Sequence, residues 1–281
     1  WIAKSLDLFQ LGEEVATGLG QKVQRIRIVT VIIAVFLTSV TVSVVGPIGF
    51  VGLIAPHLIK LIGFQKHYVV ILASFLWGAV VLIGADVLAR ILDPSFSELP
   101  VGAITAFIGA PWLIWLIMNK QNKKYSSKDT GILAGQINSP VMQKWGILIL
   151  SLIAVMILFV GISTGNNGIQ LIQTFQALFL NNDDFIKNMV LDLRLPRLLV
   201  AAVSGVLLAI SGYIFQGVLR NPLADPSVIG ITSGAGVGAL TFLYIGSISA
   251  VWVPLGAFIG AIAAFIVVMV LAYRAEFQPA L

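Results

Sequence analysis

The sequence predicts an all-α fold, a polytopic membrane helical bundle with about eight transmembrane helices. The first observation is composition: 58% of the 281 residues are hydrophobic and only 10% are charged, whereas soluble domains carry about 25% charged residues. The second is length, because the apolar runs approach the roughly 20 residues that a helix needs to cross a bilayer core. The third is continuity, because long unbroken apolar runs exclude a membrane β-barrel.

Eight apolar segments are predicted to cross the membrane. The second is short for a full crossing and begins with Gly46-Pro47. The segments are Ile26–Val45, Ile48–Ile62, Tyr68–Ala89, Val101–Met118, Trp145–Ile162, Leu198–Leu219, Val228–Ile245 and Val251–Ala272. The chain between Thr164 and Arg194 is mixed in polarity and can hold a helix that lies on the membrane surface.

The distribution of basic residues predicts which loops face the cytoplasm. If Trp1 is inside, the outside loops carry only Arg90, Lys187, Arg194 and Arg197, and the remaining 13 of the 17 Lys and Arg residues lie inside. Cytoplasmic loops of membrane proteins are enriched in Lys and Arg. The same bias explains the net charge of +5 without a nucleic-acid partner.

The polar segment "KQNKKYSSKDTGILAGQINSPVMQ" divides the chain. It is basic and rich in Ser, Gly and Asn, which is typical of a linker. We therefore predict a first block of four spans at residues 1–119, a cytoplasmic linker at 120–144 and a second block of four spans at 145–281.

Enzyme and cofactor signatures are missing from the sequence. The sequence contains no cysteine, which excludes disulfides, cysteine nucleophiles and thiolate metal sites. It also lacks a Walker A loop, an HExxH pair and a GxSxG elbow. We predict no catalytic residue, no metal site and no cofactor.

Charged residues near the outer ends of the spans are candidates for function. Asp86 and Arg90 are four residues apart, so they share a helix face and can form an ion pair. Such a pair can be functional, since ionisable residues are costly in a membrane, or it can cap the helix end. Arg194 and Arg197 flank Pro196 and suit the capture of carboxylates from a partner, with lipid headgroups as the alternative.

Two cytoplasmic segments are also distinctive. In "LDLFQLGEEVATGLGQKVQRIR", Leu11, Val15 and Leu19 follow helical spacing, which fits either docking to a protein partner or an interfacial helix. In "YIFQGVLRNPLADPSVIG", the prolines stop the helices, and Asn and Asp can bond the freed backbone groups. We predict a structural turn there, formed by Arg220, Asn221, Pro222, Asp225 and Pro226.

Small residues and one histidine have structural interpretations. Gly230, Gly234 and Gly238 are four residues apart, as are Gly256 and Gly260, which favours close helix packing. His57 has no acidic or histidine partner at helical spacing, so a structural role is favoured over a proton relay.

Four stretches together carry a family resemblance. They are "LGEEVATGLG", "GPIGFVGLIAPHLIKL", "ADVLARILDPSFSELPVGAITAFIGAPWLIWL" and "LRLPRLLVAAVSGVLLAISGYIFQGVLRNPLADPSVIGITSGAGVGA". The chain resembles the permease subunits of ATP-binding cassette (ABC) importers for iron-siderophores and cobalamin. The last stretch is long and specific, and the four cover most of the chain, with the linker and the segment from Thr164 to Asp192 matching least.

The order of these stretches departs from the family. In that family the RLPR and NPLADP stretches come early and the GPIGFVG and ELPVG stretches come late, whereas here the late half comes first. The chain therefore resembles the middle of a fused double permease of the hydroxamate-siderophore type, and a circular permutation is the alternative. Because the sequence also has no initiator Met, we expect it to be a segment of a longer protein.

The resemblance implies partners and site residues. It implies that Arg90, Arg194 and Arg197 receive glutamates from a substrate-binding protein, with Arg90 on one unit and the other two on the next, so that they meet different lobes. It implies that an ABC ATPase homodimer docks on the cytoplasmic coupling segment, whose matching residues are Leu11, Gly12, Glu13, Glu14, Ala16, Leu19 and Gly20. The location would be the bacterial cytoplasmic membrane.

The transported molecule is not identified by the sequence. The fused arrangement favours hydroxamate siderophores over cobalamin or haem by analogy. An ion-coupled secondary transporter would need carboxylates near the membrane midplane, and a membrane enzyme would need convergent catalytic side chains. Neither feature is found well inside a span.

Overall fold

The computed structural model describes residues 13–61, 67–92, 99–125, 140–165, 168–169, 171–179, 184–219, 221, 223–245 and 250–274. This part of the chain is almost entirely helical, as predicted. The helices are α1 (Glu13–Gly18), α2 (Val23–Val45), α3 (Val51–Leu61), α4 (His67–Leu92), α5 (Val101–Tyr125), α6 (Pro140–Ser163), α7 (Leu171–Phe179), α8 (Asp184–Asn188), α9 (Leu195–Leu219), α10 (Ile231–Tyr244) and α11 (Val253–Arg274).

Six of the helices are long and apolar enough to cross a membrane, and two further apolar helices are shorter. The predicted helical membrane bundle is therefore confirmed, and its two shorter apolar helices are α3, which the sequence also predicts to be short for a full crossing, and α10. Gly46 and Phe50 both have positive φ angles, so the helix begins at Val51 and not at Ile48. Gly230 adopts the left-handed conformation and separates a short 3-10 helix, Pro226–Ile229, from α10.

Helix α9 forms the centre of the bundle and packs against α2, α3 and α4. These three helices precede the predicted linker, whereas α9 follows it. Two close approaches allow this packing, because Gly212 lies against the backbone of Gly52 and Gly205 lies against the backbone of Gly78. Small residues at a crossing let two membrane helices approach closely.

Polar side chains also join α9 to its neighbours. Thr38 Oγ1 and Ser211 Oγ lie 2.6 Å apart, and Ser211 Oγ also donates to the carbonyl oxygen of Ala34 at 2.6 Å. Gln216 Nε2 donates to the carbonyl oxygen of Gly52 at 3.1 Å. Interhelical hydrogen bonds of this kind stabilise membrane bundles by about 0.6 kcal/mol each on average.

Helices α10 and α11 form an antiparallel pair that packs against α2. A side chain on Gly234 would meet the carbonyl oxygen of Gly260, and one on Gly238 would meet that of Gly256. The predicted helix packing is therefore confirmed for these four glycines. It is wrong for Gly230, which instead terminates the 3-10 helix with a φ angle of 84°.

The segments beside the linker and before α9 are also helical. Helix α5 extends to Tyr125 and α6 begins at Pro140, so both enter the predicted linker, while residues 126–139 lie outside the described part of the chain. Between α6 and α9, the paired strands β1 (Thr164–Gly165) and β2 (Gly168–Ile169) are followed by α7, α8 and a π-helix, Met189–Arg194. The short helix α7 lies in the segment where the sequence allows a surface helix.

Candidate docking sites at the two ends of the bundle

A buried carboxylate joins two predicted docking arginines at the end of the bundle that is predicted to face outwards, where α4 and α6 end and α9 begins. Asp86 Oδ2 lies 3.0 Å from Arg90 Nη2, as their helical spacing predicts. Asp86 Oδ1 lies 2.8 Å from Arg197 Nη2 and accepts a hydrogen bond from Arg197 Nε at 2.9 Å. Two guanidinium groups thus supply the counter-charge that a buried carboxylate requires.

Arg90 is enclosed by backbone oxygens. Its Nη1 donates to the carbonyl oxygens of Gly161 and Thr164, both at 3.1 Å, and its Nε donates to the carbonyl oxygen of Asp86 at 3.4 Å. The carbonyls at the C-terminal end of a helix lack intrahelical donors and carry a partial negative charge. Arg90 therefore caps α6 and ties it to α4, and only 4% of its side chain is exposed.

Arg194 and Arg197 differ in exposure. Arg194 ends the π-helix and is partly buried, with Nη1 donating to the carbonyl oxygen of Ile162 at 3.0 Å and Nη2 to Met189 Sδ at 3.3 Å. Arg197 lies in the first turn of α9, and 52% of its side chain is exposed. Arg197 is therefore the predicted docking arginine best placed to meet a partner.

The cluster brings together Arg90 and Arg197, which the resemblance assigns to different units. Both contact one carboxylate, so in this fold they lie in one site. That they meet different lobes of a binding protein stays a prediction. The sequence does not predict the contact between Asp86 and Arg197. The two residues are 111 positions apart, and no periodicity relates them.

At the opposite end, which is predicted to face the cytoplasm, the coupling segment is only partly described. Leu11 and Gly12 lie outside the described residues, and Glu13 and Glu14 begin α1. Ala16 is fully buried and belongs to an apolar cluster with residues of α2, α4 and α9, whereas Leu19 is 62% exposed. Gly20 has a φ angle of 83°, which turns the chain towards α2. The coupling segment is thus packed onto the bundle through Ala16 and exposes the apolar side chain of Leu19 nearby.

The loop after α9 contains two side-chain acceptors. Asn221 Oδ1 accepts a hydrogen bond from the backbone of Leu223 at 3.0 Å, and Asp225 Oδ1 accepts one from the backbone of Ser227 at 2.8 Å. Asp225 and Pro226 are buried, and Pro226 is the first residue of the 3-10 helix. Arg220 and Pro222 lie outside the described residues. The described part is a capped turn between α9 and α10.

Removing the Asp225 cap is expected to destabilise the turn. Burial raises the pKa of Asp225, and the hydrogen bonds from Ser227 oppose this shift. Asp225→Ala is expected to lower the free energy of unfolding by about 1 kcal/mol, because the backbone of Ser227 loses its acceptor. Asp225→Asn keeps that acceptor and removes the charge, so it is the matched control.

The raised pKa of Asp225 also makes the stability of the folded protein depend on pH. The folded state holds the Asp225 proton more tightly than the unfolded state does. Protonated Asp225 therefore stabilises the folded state at low pH, and this contribution is lost as the pH rises from the ordinary pKa of 3.8 through the raised pKa. Melting temperatures in detergent should show this loss in the unaltered protein but not in Asp225→Asn. A well-folded Asp225→Ala protein with altered ATP coupling would contradict a purely structural turn.

His57 contacts an aromatic side chain of α5. Its ring lies edge-on to Trp112 with 6.1 Å between ring centroids, and Trp112 in turn lies 5.2 Å from Trp115. The contact joins α3 to α5, which fits the structural role favoured for this histidine.

The comparisons with known proteins match both blocks. The FecCD transport family matches residues 1–119 and 131–280. The chain belongs to this family. It is 29% identical over 289 residues to the iron(3+)-hydroxamate import system permease protein FhuB of Escherichia coli (strain K12), which covers 99% of this chain and 41% of the relative. No solved structure matches the chain.

Two further relatives match only part of the chain. The Fe(3+) dicitrate transport system permease protein FecD of Escherichia coli (strain K12) is 45% identical over 115 residues, which are 41% of this chain and 36% of the relative. The vitamin B12 import system permease protein BtuC of Klebsiella pneumoniae is 39% identical over 121 residues, 43% of this chain and 36% of the relative. The chain thus spans about two fifths of the length of these relatives.

Family membership and the apolar helices together define the class of protein. It is a multi-pass membrane protein of the bacterial cytoplasmic membrane, and its family is that of ABC importer permeases. The relatives' names include iron(3+)-hydroxamate, iron dicitrate and vitamin B12 import, so the family does not determine one cargo.

Proposed function

We propose that the chain is part of a permease that moves iron-hydroxamate complexes across the cytoplasmic membrane. A separate ABC ATPase homodimer would drive it, and a substrate-binding protein would deliver the cargo. The observation that carries this proposal is the match to a hydroxamate permease over 99% of the chain. The dicitrate and vitamin B12 permeases each match less than half of it, as does another iron(3+)-hydroxamate permease, so the coverage supports the hydroxamate cargo only through the fused arrangement.

The same difference in coverage supports a fused double permease. A single permease unit would align with only one block, because the family's late half precedes its early half in this chain. We infer that residues 1–119 end a first unit, 120–144 link the units and 145–281 begin the second. Sequencing the intact gene tests this: the fusion requires an RLPR stretch upstream and an ELPVG stretch downstream, whereas a permuted unit would lack the upstream permease sequence.

A cysteine pair tests whether the two blocks contact each other in the whole protein. Thr38 and Ser211 join α2 to α9 with hydroxyl oxygens 2.6 Å apart, and the 281-residue sequence contains no cysteine. We expect Thr38→Cys with Ser211→Cys to form a disulfide on oxidation, since the geometry brings the side chains together. After cleavage at a protease site inserted in the linker, the fragments should stay joined on a non-reducing gel.

The pair Thr38→Cys with Ser151→Cys is the matched control, because Ser151 also follows the linker but lies on α6, which packs mainly against α4. It should leave the fragments separate. A folded whole protein in which the Thr38–Ser211 pair does not cross-link would show that each block packs within its own unit.

The outer and inner ends have separate roles in this proposal. Arg197 would receive an acidic group of the binding protein, since it is the most exposed of the three arginines. Arg90 and Arg194 would stabilise the helix ends that lie next to Arg197. At the inner end, α1 and the following turn would contact the ATPase, supported by the buried anchor at Ala16 and the exposed side chain of Leu19.

Uptake by the whole protein tests the cargo. The permease, its ATPase and its binding protein should be expressed in a strain without endogenous iron importers and supplied with radiolabelled iron-hydroxamate, iron dicitrate, haem or cobalamin. We expect ATP-dependent uptake of the iron-hydroxamate. Uptake of cobalamin or haem alone would favour another importer of the same family, and uptake driven by an ion gradient without the ATPase would indicate a secondary transporter.

A further inference from the structure

The ion pair between Asp86 and Arg197 leaves one edge of the guanidinium group unused. Arg197 Nε and Nη2 both face Asp86 Oδ1, at 2.9 and 2.8 Å. Within the described residues, Arg197 Nη1 makes no hydrogen bond, and half of the side chain is exposed. An arginine can present two parallel N–H donors to a carboxylate. The edge that carries Nη1 is therefore available to an acidic group from outside.

The second arginine explains why Asp86 does not cancel the charge of Arg197. Asp86 pairs with the buried Arg90 through Oδ2 and with Arg197 through Oδ1. Two guanidinium charges and one carboxylate leave this group with a net charge of about +1. Arg90 is buried and its donors are directed to Asp86 and to backbone oxygens, so the surplus charge faces outwards at Arg197.

We propose that Asp86 is a positioning residue that holds Arg197 ready to bind an acidic group of the substrate-binding protein. This inference rests on the proposed function, which supplies that partner. A free arginine side chain loses rotamer freedom when a partner immobilises it, which weakens binding. Asp86 orders the side chain beforehand, and its own burial between α4 and α9 fixes its position.

A double-mutant cycle in the whole protein tests this role. The measured quantity is the dissociation constant of the iron-hydroxamate binding protein from the same organism, with the transporter in lipid nanodiscs. Asp86→Asn should weaken binding about three- to tenfold, because an amide offers one acceptor oxygen to two arginines, and the loss of an ordered Arg197 should exceed the gain from the additional net positive charge. Arg197→Gln should weaken it by about tenfold or more, since the charge itself is lost.

The decisive comparison is the double variant. If Asp86 acts through Arg197, the double variant should bind as Arg197→Gln does, because the two effects are coupled. If the losses of binding free energy of the two single variants add in the double variant, the proposal is overturned, because Asp86 then affects binding independently of Arg197. If Asp86→Asn does not fold, Asp86→Glu takes its place. It keeps the carboxylate but moves it by one methylene group, so Arg197 is held in another position and binding should weaken several-fold, and unchanged binding would overturn the proposal.

A second measurement needs no partner. The arginine-selective reagent p-hydroxyphenylglyoxal should modify Arg197 at least about threefold faster in Asp86→Asn than in the unaltered protein, as followed by mass spectrometry, because Asp86 no longer holds Nε and Nη2. Equal rates would overturn the positioning role. If the unaltered protein does not bind the binding protein at all, the proposed function fails, and the labelling rates still decide whether Asp86 positions Arg197.

Discussion

Arg90→Met is expected to lower the free energy of unfolding by about 3–5 kcal/mol, because breaking a buried ion pair leaves its partner without full compensation. The change also removes the donors to the carbonyl oxygens of Gly161 and Thr164. The end of α6 would lose its cap, and Asp86 would keep only the half-exposed Arg197. Unfolding by SDS titration from mild detergent, followed by intrinsic fluorescence, measures the loss.

Arg197→Met is the matched control, since it removes the other arginine of the same carboxylate. Its side chain is 52% exposed, compared with 4% for Arg90. Asp86 keeps the buried Arg90 as its counter-charge in this variant, and no helix-end carbonyl loses a donor, so we expect a clearly smaller loss of stability than in Arg90→Met. It should nevertheless lose affinity for the binding protein. Equal losses of stability in the two variants would contradict the division into a structural and an exposed arginine.

The sequence predicts this cluster only in part, for a physical reason. Asp86 and Arg90 lie on one helix, so the periodicity of the α-helix is sufficient to pair them. The contact with Arg197 depends on how α4 and α9 pack, and hydropathy does not determine packing. The predicted roles also depended on exposure: the sequence treats the arginines alike, whereas the fold buries Arg90 and leaves Arg197 half-exposed.

The shorter helices show a related limit. Hydropathy finds the apolar segments, because the bilayer requires them, but it does not detect where the backbone leaves the helical conformation. The segment that contains Phe50 is apolar, yet Phe50 has a φ angle of 68°, and α3 therefore begins at Val51. The side chain of Phe50 lies against Gly109 of α5, a contact that requires the absence of a side chain on Gly109.

Gly78→Ala is expected to destabilise the bundle by about 1–3 kcal/mol, as overpacking of a close-packed interface does. A Cβ atom on Gly78 would meet the carbonyl oxygen of Gly205 and the Cβ atom of Ala209, both on α9. Backbone atoms cannot rotate away, so α4 and α9 must separate. The SDS titration used for Arg90→Met measures the loss.

Gly84→Ala, on the same helix, is the matched control, because a Cβ atom there would meet no atom within 4 Å. Alanine favours the helix over glycine by up to about 1 kcal/mol, so this variant should be neutral or slightly more stable. A loss confined to Gly78→Ala would mean that the crossing of α4 and α9 contributes to holding the blocks on either side of the linker together. Equal stability of the two variants would mean that α4 accepts an added methyl group at both positions. The close packing at Gly78 would then not explain how α4 and α9 bring Asp86 and Arg197 together.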